Sequence, residues 1–468
     1  MVLLILLADF FGFRRGEVMI HKFKKNGVYV VLDVNSGAVH VVDEMVYDIL
    51  DHYPEQDKTT AVEHLKSKYN SEELTQAIDE IQYLIDEEQL FSKDTYIKNL
   101  EFKNRKPVIK AMCLHIAHDC NIRCKYCFAS QGDFEGDRSL MSLEVGKKAL
   151  KFLVDNSGNR RNLEVDFFGG EPLMNFEVVK DLVTYGRSLE AENNKLFRFT
   201  ITTNGVLLDD AKIDYINEHM DNVVLSIDGR PKVNDLMRYT KNGAGTYDII
   251  VPKFKKLIEK RGDKNYYVRG TFTKFNIDFA KDVVHMADLG FKNTSVEPVV
   301  ASPENDYALQ DRDLETICAQ YDELAEEMIA RRGKENDFSF FHFTVDLSQG
   351  PCIVKRLSGC GAGSEYVAIT PEGDIYPCHQ FVGDEDFKIG SLMDGTYNNH
   401  LSHEFKEAHV YNKEKCKECW AKFYCSGGCH ANAYNFNNDI NIPYDLGCEM
   451  EKKRLEASLY IQAKLMED

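Results

Sequence analysis

Three closely spaced cysteines follow the first strand of the predicted sheet region. Cys120, Cys124 and Cys127 form a C-x3-C-x2-C run on a loop. Three thiolates can hold three irons of a [4Fe–4S] cubane and leave the fourth iron open, whereas a cluster that only carries electrons normally takes four cysteines. An open iron can bind a substrate or a cofactor. The alternative is a zinc site that takes His115 or His118 as its fourth ligand.

The segment Gly169-Gly170-Glu171-Pro172 follows the second predicted strand. Glycines let the backbone approach a ligand closely, and a carboxylate can accept hydrogen bonds from an ammonium group. Alone, such a turn would only mark the end of a strand. After a cysteine loop of this spacing, it indicates a ligand site at the ends of neighbouring strands.

A second group of seven cysteines lies nearer the C-terminus. These are Cys360, Cys378, Cys416, Cys419, Cys425, Cys429 and Cys448. Short C-x2-C spacings also suit structural zinc ribbons, which are the alternative for the whole group. We expect Cys113 and Cys318 to be small buried hydrophobes. His379 and His430 adjoin predicted ligands, and we expect them to hydrogen-bond there without binding metal.

Composition limits the classes of protein to which the chain can belong. Its 468 residues, 43% of them hydrophobic, predict a globular protein of two or three domains. A net charge of −19 repels nucleic acids and anionic membrane surfaces, so neither is expected as a partner. The thirteen cysteines lie mostly in two runs, which suits metal ligation in a reducing cytoplasm better than a disulfide framework.

The N-terminal stretch Val2–Leu7 is apolar but short. A helix that spans a bilayer needs roughly 20 apolar residues, and no small-residue cleavage site of a signal peptide follows this stretch. We therefore expect residues 1–18 to be an extension without functional relevance, with Met19 as a candidate for the natural start.

Apolar periodicity predicts six strand–helix repeats from residue 110 onward. The predicted strands are Ala111–Ala117, Leu163–Phe168, Phe197–Thr203, Asn222–Ile227, Tyr267–Thr273 and Thr294–Val300. Such repeats form a parallel, curved sheet, so the expected fold class is α/β with a partial (β/α)6 TIM-like barrel. The chemistry of such a barrel lies at the carboxyl ends of its strands.

Changes in pattern divide the chain into four predicted units. Residues 19–100 predict a winged-helix-like domain with two short strands, and a polar stretch that ends at Pro107 separates it from the barrel, at 105–335. Residues 345–450 are rich in glycine, cysteine and aromatic residues, as expected of a domain organised by metals. A final helix is expected at 451–468.

The cysteine run and the Gly-Gly-Glu-Pro segment resemble those of the radical S-adenosylmethionine superfamily, in which an aromatic residue such as Tyr126 precedes the third cysteine. The resemblance implies that the open iron chelates the amino and carboxylate groups of S-adenosylmethionine. It also implies that the Gly169–Glu171 segment holds the methionyl amine. Ser226 and Arg238 resemble contacts to the cofactor carboxylate, for which an arginine fork is well suited.

Two of these carried-over features have plainer alternatives. Arg238 would otherwise form a surface ion pair. The segment Thr202-Thr203-Asn204-Gly205 also looks family-like, but its polar residues would otherwise only cap a strand.

The spacing of the second cysteine group is similar to that of the SPASM domain, which holds two [4Fe–4S] clusters. By that resemblance the ligands of one cluster are Cys416, Cys419, Cys425 and Cys448. Three ligands of the other are Cys360, Cys378 and Cys429. Its fourth ligand is either Cys352 or a thiolate of the substrate, and we prefer the thiolate. Three [4Fe–4S] clusters are therefore expected in total.

The N-terminal unit resembles the peptide-recognition element of ribosomal peptide biosynthesis, in which a leader peptide adds a strand to a sheet edge. The alternative, a DNA-binding winged helix, needs a basic recognition helix, whereas this one carries Glu72, Glu73, Asp79 and Glu80. From about Met19 onward, the chain resembles a SCIFF-type (six-cysteine peptide) maturase, a thioether-forming enzyme of the sactipeptide or ranthipeptide kind.

This resemblance implies a cytoplasmic oxidoreductase that modifies a ribosomally made peptide. A 5′-deoxyadenosyl radical would remove a hydrogen atom from a peptide carbon, and a substrate cysteine sulfur would then bond to that carbon. The expected partners are a cysteine-rich precursor peptide, bound through its leader, and an electron donor of the flavodoxin or ferredoxin type.

Other functions remain open at this stage. An anaerobic sulfatase-maturing enzyme, which forms formylglycine, has an aspartate directly after the cysteine matched by Cys378, where this chain has His379. Epimerisation and carbon–carbon linkage are further outcomes of the same radical chemistry. The rival from another class is a non-catalytic electron carrier, or a zinc-stapled adaptor that only binds a peptide.

Overall fold

The structure is a computed structural model, and it describes residues 18–96, 108–345, 347 and 353–467. Cys352, residues 1–17 and most of the polar stretch that ends at Pro107 lie outside the described residues. Within the part of the chain that is described, no helix is both long and apolar enough to cross a membrane.

The N-terminal unit is a three-stranded antiparallel sheet followed by helices. Its elements are β1 (Ile20–Lys25), β2 (Val28–Asp33), β3 (Val39–Val42), α1 (Glu44–Ile49), α2 (Lys58–Leu65) and α3 (Ser71–Asp86). The sequence predicted β2 and β3 but missed β1, which pairs with β2. Since Ile20 and Phe23 are its only apolar residues, β1 has no alternating pattern that would reveal it.

Strand β2 is apolar on both faces because each face is covered. Val28, Val30 and Leu32 belong to the main core of the molecule. Val31 points the other way, into a smaller core formed with the helices of the N-terminal unit. The unit is therefore packed against the rest of the chain through its own central strand.

A large eleven-stranded sheet forms the centre of the molecule. After β3 the strands are, in chain order, β4 (Ala111–Ala117), β5 (Ile122–Cys124), β6 (Asn162–Gly169), β7 (Leu196–Thr203), β8 (Asn222–Ser226), β9 (Arg238–Thr240), β10 (Tyr266–Phe272), β11 (Asn293–Pro298), β12 (Ser339–Phe340), β13 (Tyr366–Ile369), β14 (Asp374–Tyr376), β15 (Gly390–Ser391) and β16 (Thr396–Tyr397). Across the sheet the order is β12-β11-β10-β8-β7-β6-β4-β13-β14-β15-β16, while β5 pairs only with β9. The strands from β13 to β12 are parallel. The α/β barrel prediction is thus confirmed, with each predicted strand within two residues of its observed ends.

Amphipathic helices cover the outer face of the parallel strands. They are α4 (Leu143–Asn156), α5 (Phe176–Asn193), α6 (Asp210–His219), α7 (Pro231–Met237), α8 (Tyr247–Arg261), α9 (Ala280–Asp288) and α10 (Leu314–Arg331). Leu150 and Leu182 of these helices share one core with Val165 and Phe167 of β6. Because side chains alternate along a strand, the residue between the last two, Asp166, faces the barrel interior.

The C-terminal region continues the barrel sheet. Its helices are α11 (Ile353–Ser358), α12 (Asn399–Glu407), α13 (Glu414–Lys417), α14 (Lys422–Cys425), α15 (His430–Asn437) and α16 (Asp445–Glu467). Strand β13 pairs in parallel with β4, so one sheet crosses the boundary predicted near residue 345. Helix α16 begins at Asp445, before the predicted start at Glu451, and its first turns include Cys448. It packs against α10.

Candidate active site

The cysteine loop is held by main-chain pairing. It leaves the end of β4, and its short strand β5 pairs antiparallel with β9, which places Cys124 opposite Arg238. The backbone N–H of Lys125 donates to the carbonyl oxygen of Met237 at 2.8 Å. The three cysteines are therefore placed at the carboxyl ends of the barrel strands, beside Arg238.

The three cysteines of this loop are close together, with Cys120 buried and Cys124 and Cys127 partly buried. Burial raises the pKa of Cys120 to about 11, with smaller contributions that include the nearby Cys127 thiol. The pKa of Cys124 is raised to about 12 for the same reason, with Cys127 and Cys120 among its neighbours. Asn204 Nδ2 lies 3.6 Å from Cys120 Sγ. The bare thiols of Cys120 and Cys124 would stay protonated, so they need a bound cation to become thiolates.

The geometry does not suit a zinc site. His115 Nδ1 and His118 Nε2 lie 3.0 Å apart and hydrogen-bond each other, which occupies a ring nitrogen of each proposed fourth ligand. Among the described residues, no group of three or more His, Cys, Asp or Glu side chains is arranged to hold a metal ion. Ligands of one zinc ion converge on a point, whereas each cysteine of a cubane binds a different iron.

The Gly-Gly-Glu-Pro turn packs directly on the cysteine loop. A Cβ atom added at Gly169 would lie 2.3 Å from the carbonyl oxygen of Ala117, and one at Gly170 would lie 2.1 Å from that of Asp119. Gly169 also has a φ of +116°. The sequence alone predicts that these glycines let a ligand approach closely. The structure shows that they allow close approach of the chain that leads into Cys120.

The Glu171 carboxylate joins three strand ends. It is fully buried and accepts hydrogen bonds from the Thr203 hydroxyl at 2.7 Å, the Asn204 backbone N–H at 2.8 Å and the Leu173 backbone N–H at 3.0 Å. Asn204 in turn donates from its side chain to Asn121 in the cysteine loop at 2.8 Å. Burial raises the pKa of Glu171 to about 6, against these hydrogen bonds. Thr203 and Asn204 therefore do more than cap a strand.

Arg238 is buried beside the cysteine loop. One of its terminal nitrogens donates to the Tyr126 hydroxyl at 2.9 Å, and that hydroxyl donates to the Asp228 carboxylate at 2.8 Å. The side chain is only 8% exposed, which excludes the surface ion pair considered as the alternative. Its buried Nε has no hydrogen-bond partner in the described chain. An unpaired buried donor is costly, so this atom suits an anionic ligand such as a carboxylate.

Asp228 and Ser226 follow one another closely at the end of β8. Asp228 was not singled out from the sequence, although it lies two residues after Ser226. Burial raises the pKa of the Asp228 carboxyl to about 6. Ser226 is the last residue of β8 and lies opposite Arg269 of β10. Both residues are thus at the carboxyl end of the barrel.

Four cysteines of the C-terminal group line one cavity. A space of about 190 Å³ is bordered by Cys416, Cys419, Cys425 and Cys448 together. Burial raises the pKa of Cys425 well above its ordinary value and the pKa of Cys448 to about 11. The nearby thiols of Cys416 and Cys419 add to both increases. The donor set and the enclosed space fit a cluster held by four thiolates.

Three other cysteines form a separate group. Burial raises the pKa of Cys378, and the nearby Cys429 and Cys360 thiols add to this effect. Burial also raises the pKa of Cys429, and the nearby Cys360 thiol adds to this effect. Cys360, Cys378 and Cys429 therefore lie near one another. Cys352, a candidate for the fourth ligand of this set, lies outside the described residues.

Four further cysteine and histidine residues beside these sets are placed as follows. Cys113 is buried in β4, and Cys318 is half-buried on α10. His379 packs against the rings of Phe128 and Phe168. His430 Nε2 is 3.0 Å from the carbonyl oxygen of Ala408. No disulfide joins any of the twelve cysteines in the described residues.

The barrel interior holds charged residues that sequence reasoning missed. Asp166 accepts a hydrogen bond from the Thr202 hydroxyl at 3.2 Å. Burial raises the pKa of the Asp166 carboxyl to about 7, against the effects of Thr202 and Arg269. Arg269 is half-exposed and lies 3.4 Å from Glu297. A charged residue between Val165 and Phe167 in a predicted buried strand was the available signal.

A second cavity connects the barrel with the C-terminal cysteines. It has a volume of about 390 Å³. Its lining includes Arg269, Glu297, Gln380, Cys425, Cys429, Cys448 and Arg454. A molecule in this space would contact the barrel interior and both predicted cluster sets.

Comparisons with known proteins agree with these observations. Residues 360–420 match SPASM, an iron-sulfur cluster-binding domain, and residues 110–251 match a 4Fe-4S single cluster domain. A cysteine-type anaerobic sulfatase-maturating enzyme of Clostridium novyi (strain NT) is 26% identical over 357 residues, which cover 73% of this chain and 92% of that enzyme.

Two solved structures share the fold. Native anSMEcpe with bound AdoMet superposes with a TM-score of 0.63 at 20% identity and covers 76% of this chain and 99% of its own. Streptococcus suis SuiB bound to its precursor peptide SuiA has a TM-score of 0.52 at 19% identity and covers 89% of this chain and 95% of its own.

The chain thus shares its fold with an AdoMet-bound enzyme, and it contains regions that match a 4Fe-4S single cluster domain and the SPASM iron-sulfur cluster-binding domain. These matches indicate iron-sulfur clusters at both cysteine groups. The zinc alternatives for the two cysteine groups are therefore wrong.

Proposed function

We propose that this enzyme is a maturase that forms thioether crosslinks in a ribosomally made, cysteine-rich peptide. The observation that carries the proposal is the cavity bordered by Arg269 and Glu297 on one side and by Cys425, Cys429 and Cys448 on the other. A peptide in that cavity has one part near the barrel chemistry and another near the C-terminal clusters. A substrate thiol placed there is close to both.

Cys120, Cys124 and Cys127 hold the cluster with the open iron in this proposal. Arg238 binds the carboxylate of S-adenosylmethionine through its unpaired Nε, while Tyr126 and Asp228 fix the guanidinium. The Gly169–Glu171 turn presents its backbone to the methionyl amine. When bound, these cofactors would supply the electron and the radical that removes a hydrogen atom from the substrate, and the clusters of the C-terminal region would accept the one electron released when the carbon–sulfur bond forms.

Thioether formation also requires that the substrate thiol lose its proton. Asp166 is the group in the barrel interior that we assign to this task, because its carboxylate has only one described hydrogen-bond donor, the Thr202 hydroxyl. Because the pKa of its carboxyl is about 7, Asp166 is ionised in a large share of the molecules at neutral pH and is basic enough to take a proton. Arg269 stabilises the ionised form.

The N-terminal unit binds the leader in this proposal. Strand β3 is at one end of the order β1-β2-β3 and pairs only with β2 in the described chain. Val41 on this strand is 45% exposed. An extended peptide can therefore add a fourth strand there, with apolar side chains beside Val41. The relation of SuiB to its precursor peptide SuiA supports a peptide substrate for this fold.

Formylglycine formation is the second candidate, because sulfatase-maturating relatives match most of this chain. Their expected base after the cysteine equivalent to Cys378 is replaced here by His379. This imidazole packs against Phe128 and Phe168, and burial lowers its pKa to about 4. So weak a base favours a different reaction, in which another residue takes the proton.

Mass spectrometry of the product distinguishes the candidates. The reconstituted enzyme is incubated anaerobically with S-adenosylmethionine, a flavodoxin or ferredoxin type donor and a cysteine-rich peptide encoded beside the gene. Each thioether makes the peptide two hydrogens lighter and keeps all sulfur, whereas formylglycine formation removes sulfur from the cysteine. A product that has lost sulfur, or only an epimerised product, would overturn the proposal.

A further inference from the structure

Lys413 is a buried cation among the C-terminal cysteines. It lies directly before α13 and three residues before Cys416, and only 1% of it is exposed. Its ammonium donates a hydrogen bond to the carbonyl oxygen of Gly427 at 2.8 Å. The side chain is therefore fixed inside the domain and does not reach solvent.

Gly427, which accepts the hydrogen bond of this ammonium, lines the cavity bordered by Cys416, Cys419, Cys425 and Cys448. Cys416, Cys425 and Cys448 belong to the four-cysteine set, and Cys429 belongs to the other; all four act electrostatically on Lys413. Within the described residues, no carboxylate forms an ion pair with it. A buried ammonium without an anionic partner is strongly unfavourable, so the compensating charge must come from the sites it adjoins.

A second buried lysine in the same domain shows the contrast. Lys422 is only 4% exposed, but its ammonium lies 3.5 Å from the carboxylate of Asp94, which is also buried. That lysine has a carboxylate partner supplied by the chain. Lys413 has none in the described chain, which indicates that its charge serves the clusters.

We propose that Lys413 is an electrostatic bridge between the two auxiliary clusters, a positioned positive charge that raises the reduction potential of both. The proposal rests on the assignment of the two cysteine sets as cluster ligands. A [4Fe–4S] cluster with thiolate ligands is anionic and gains a further negative charge when it is reduced. A fixed cation nearby stabilises the reduced state more than the oxidised state, and burial makes the effect strong.

The test compares three variants of the full, anaerobically reconstituted chain by iron analysis and EPR-monitored redox titration. Lys413→Met removes the charge at nearly the same length, and Lys413→Arg retains the charge. Lys417→Met removes an equal charge from the surface of the same helix, where Lys417 pairs with Glu414. We expect the auxiliary midpoint potentials to become more negative in Lys413→Met only, with the potential of the barrel cluster unchanged in all three.

Unchanged auxiliary potentials in Lys413→Met would overturn the proposal. If Lys413→Met loses the irons of the auxiliary clusters, Lys413→Arg decides whether the charge or the shape of the side chain is required. Full iron content and wild-type potentials in Lys413→Arg would show that the charge is required, whereas loss of iron there as well would show that only the shape of lysine matters. Wild-type protein with iron at the barrel site alone would refute the auxiliary clusters themselves, and with them the proposed function.

Discussion

The two cysteine regions are built in different ways. In the barrel loop, Cys120, Cys124 and Cys127 lie within eight residues and are placed by strand pairing between β5 and β9. In the C-terminal region, the cysteines are spread from Cys360 to Cys448 and are gathered by short helices and turns. The barrel loop lies beside the unpaired, buried Nε of Arg238, whereas the C-terminal region buries the ammonium of Lys413. This difference suits a barrel site that binds a small molecule and a C-terminal region whose clusters carry electrons.

Removal of thiols should give the largest effect and should separate the two regions. We expect the triple substitution of Cys120, Cys124 and Cys127 by Ala to abolish release of 5′-deoxyadenosine, because no iron remains to bind S-adenosylmethionine. Cys416→Ala should keep this release while the peptide product disappears. Chromatography of the nucleoside with mass spectrometry of the peptide measures both, and release by the triple variant would contradict the assignment.

Asp166→Asn should affect thioether formation and leave cleavage of S-adenosylmethionine intact. We expect product formation to fall by about 100-fold, the usual contribution of a positioned base, while 5′-deoxyadenosine release continues. In the wild type, the ionised carboxylate is present above its pKa of about 7 and is lost below it. Product formation by the wild type should therefore decline as the pH falls below about 7. The residual product formation by Asp166→Asn should not show this decline.

Asp155→Asn is the control for that substitution, since Asp155 pairs with Lys151 on the exposed face of α4. It should leave both the rate and the pH profile unchanged. An unaltered pH profile in Asp166→Asn would show that another group takes the proton.

Arg238→Lys should weaken binding of S-adenosylmethionine. Lysine keeps the charge but lacks the Nε donor, so a loss of about 2 kcal/mol, or roughly thirtyfold in Kd, is expected. Arg230→Lys is the matched control, because Arg230 pairs with Asp278 and Asp282 and is assigned no ligand. Calorimetry of the reconstituted proteins measures both, and equal affinities would remove Arg238 from the site.

The smallest effect is expected at the leader site. Val41→Asp should weaken leader binding by about 1 kcal/mol, or roughly fivefold, since a charge replaces an apolar cross-strand neighbour. Met393→Asp, at another exposed position, serves as the control. Deletion of the whole unit is a poor test because Val28, Val30 and Leu32 belong to the main core. Fluorescence anisotropy with a labelled leader gives the affinities, and equal values for both variants would argue against β3 as the site.

Local patterns explain what the sequence reveals. The cysteine loop and the parallel strands could be predicted because their spacings and alternation are set within a few residues. Strand β1 was missed because Lys and His dominate it, and the extension of the sheet through β13 depends on pairing with the distant β4. Lys413 looks like any surface lysine in the sequence, since only the folded chain brings Cys416 and Cys429 around it.

The most direct test of the account is iron analysis of oxygen-protected protein, combined with EPR of the reduced state before and after S-adenosylmethionine is added. Three cubane clusters predict about twelve irons per chain, with a signal that changes on addition of the cofactor only while Cys120, Cys124 and Cys127 are intact. Zinc in place of iron at these three sulfurs, or a signal indifferent to S-adenosylmethionine, would contradict the account.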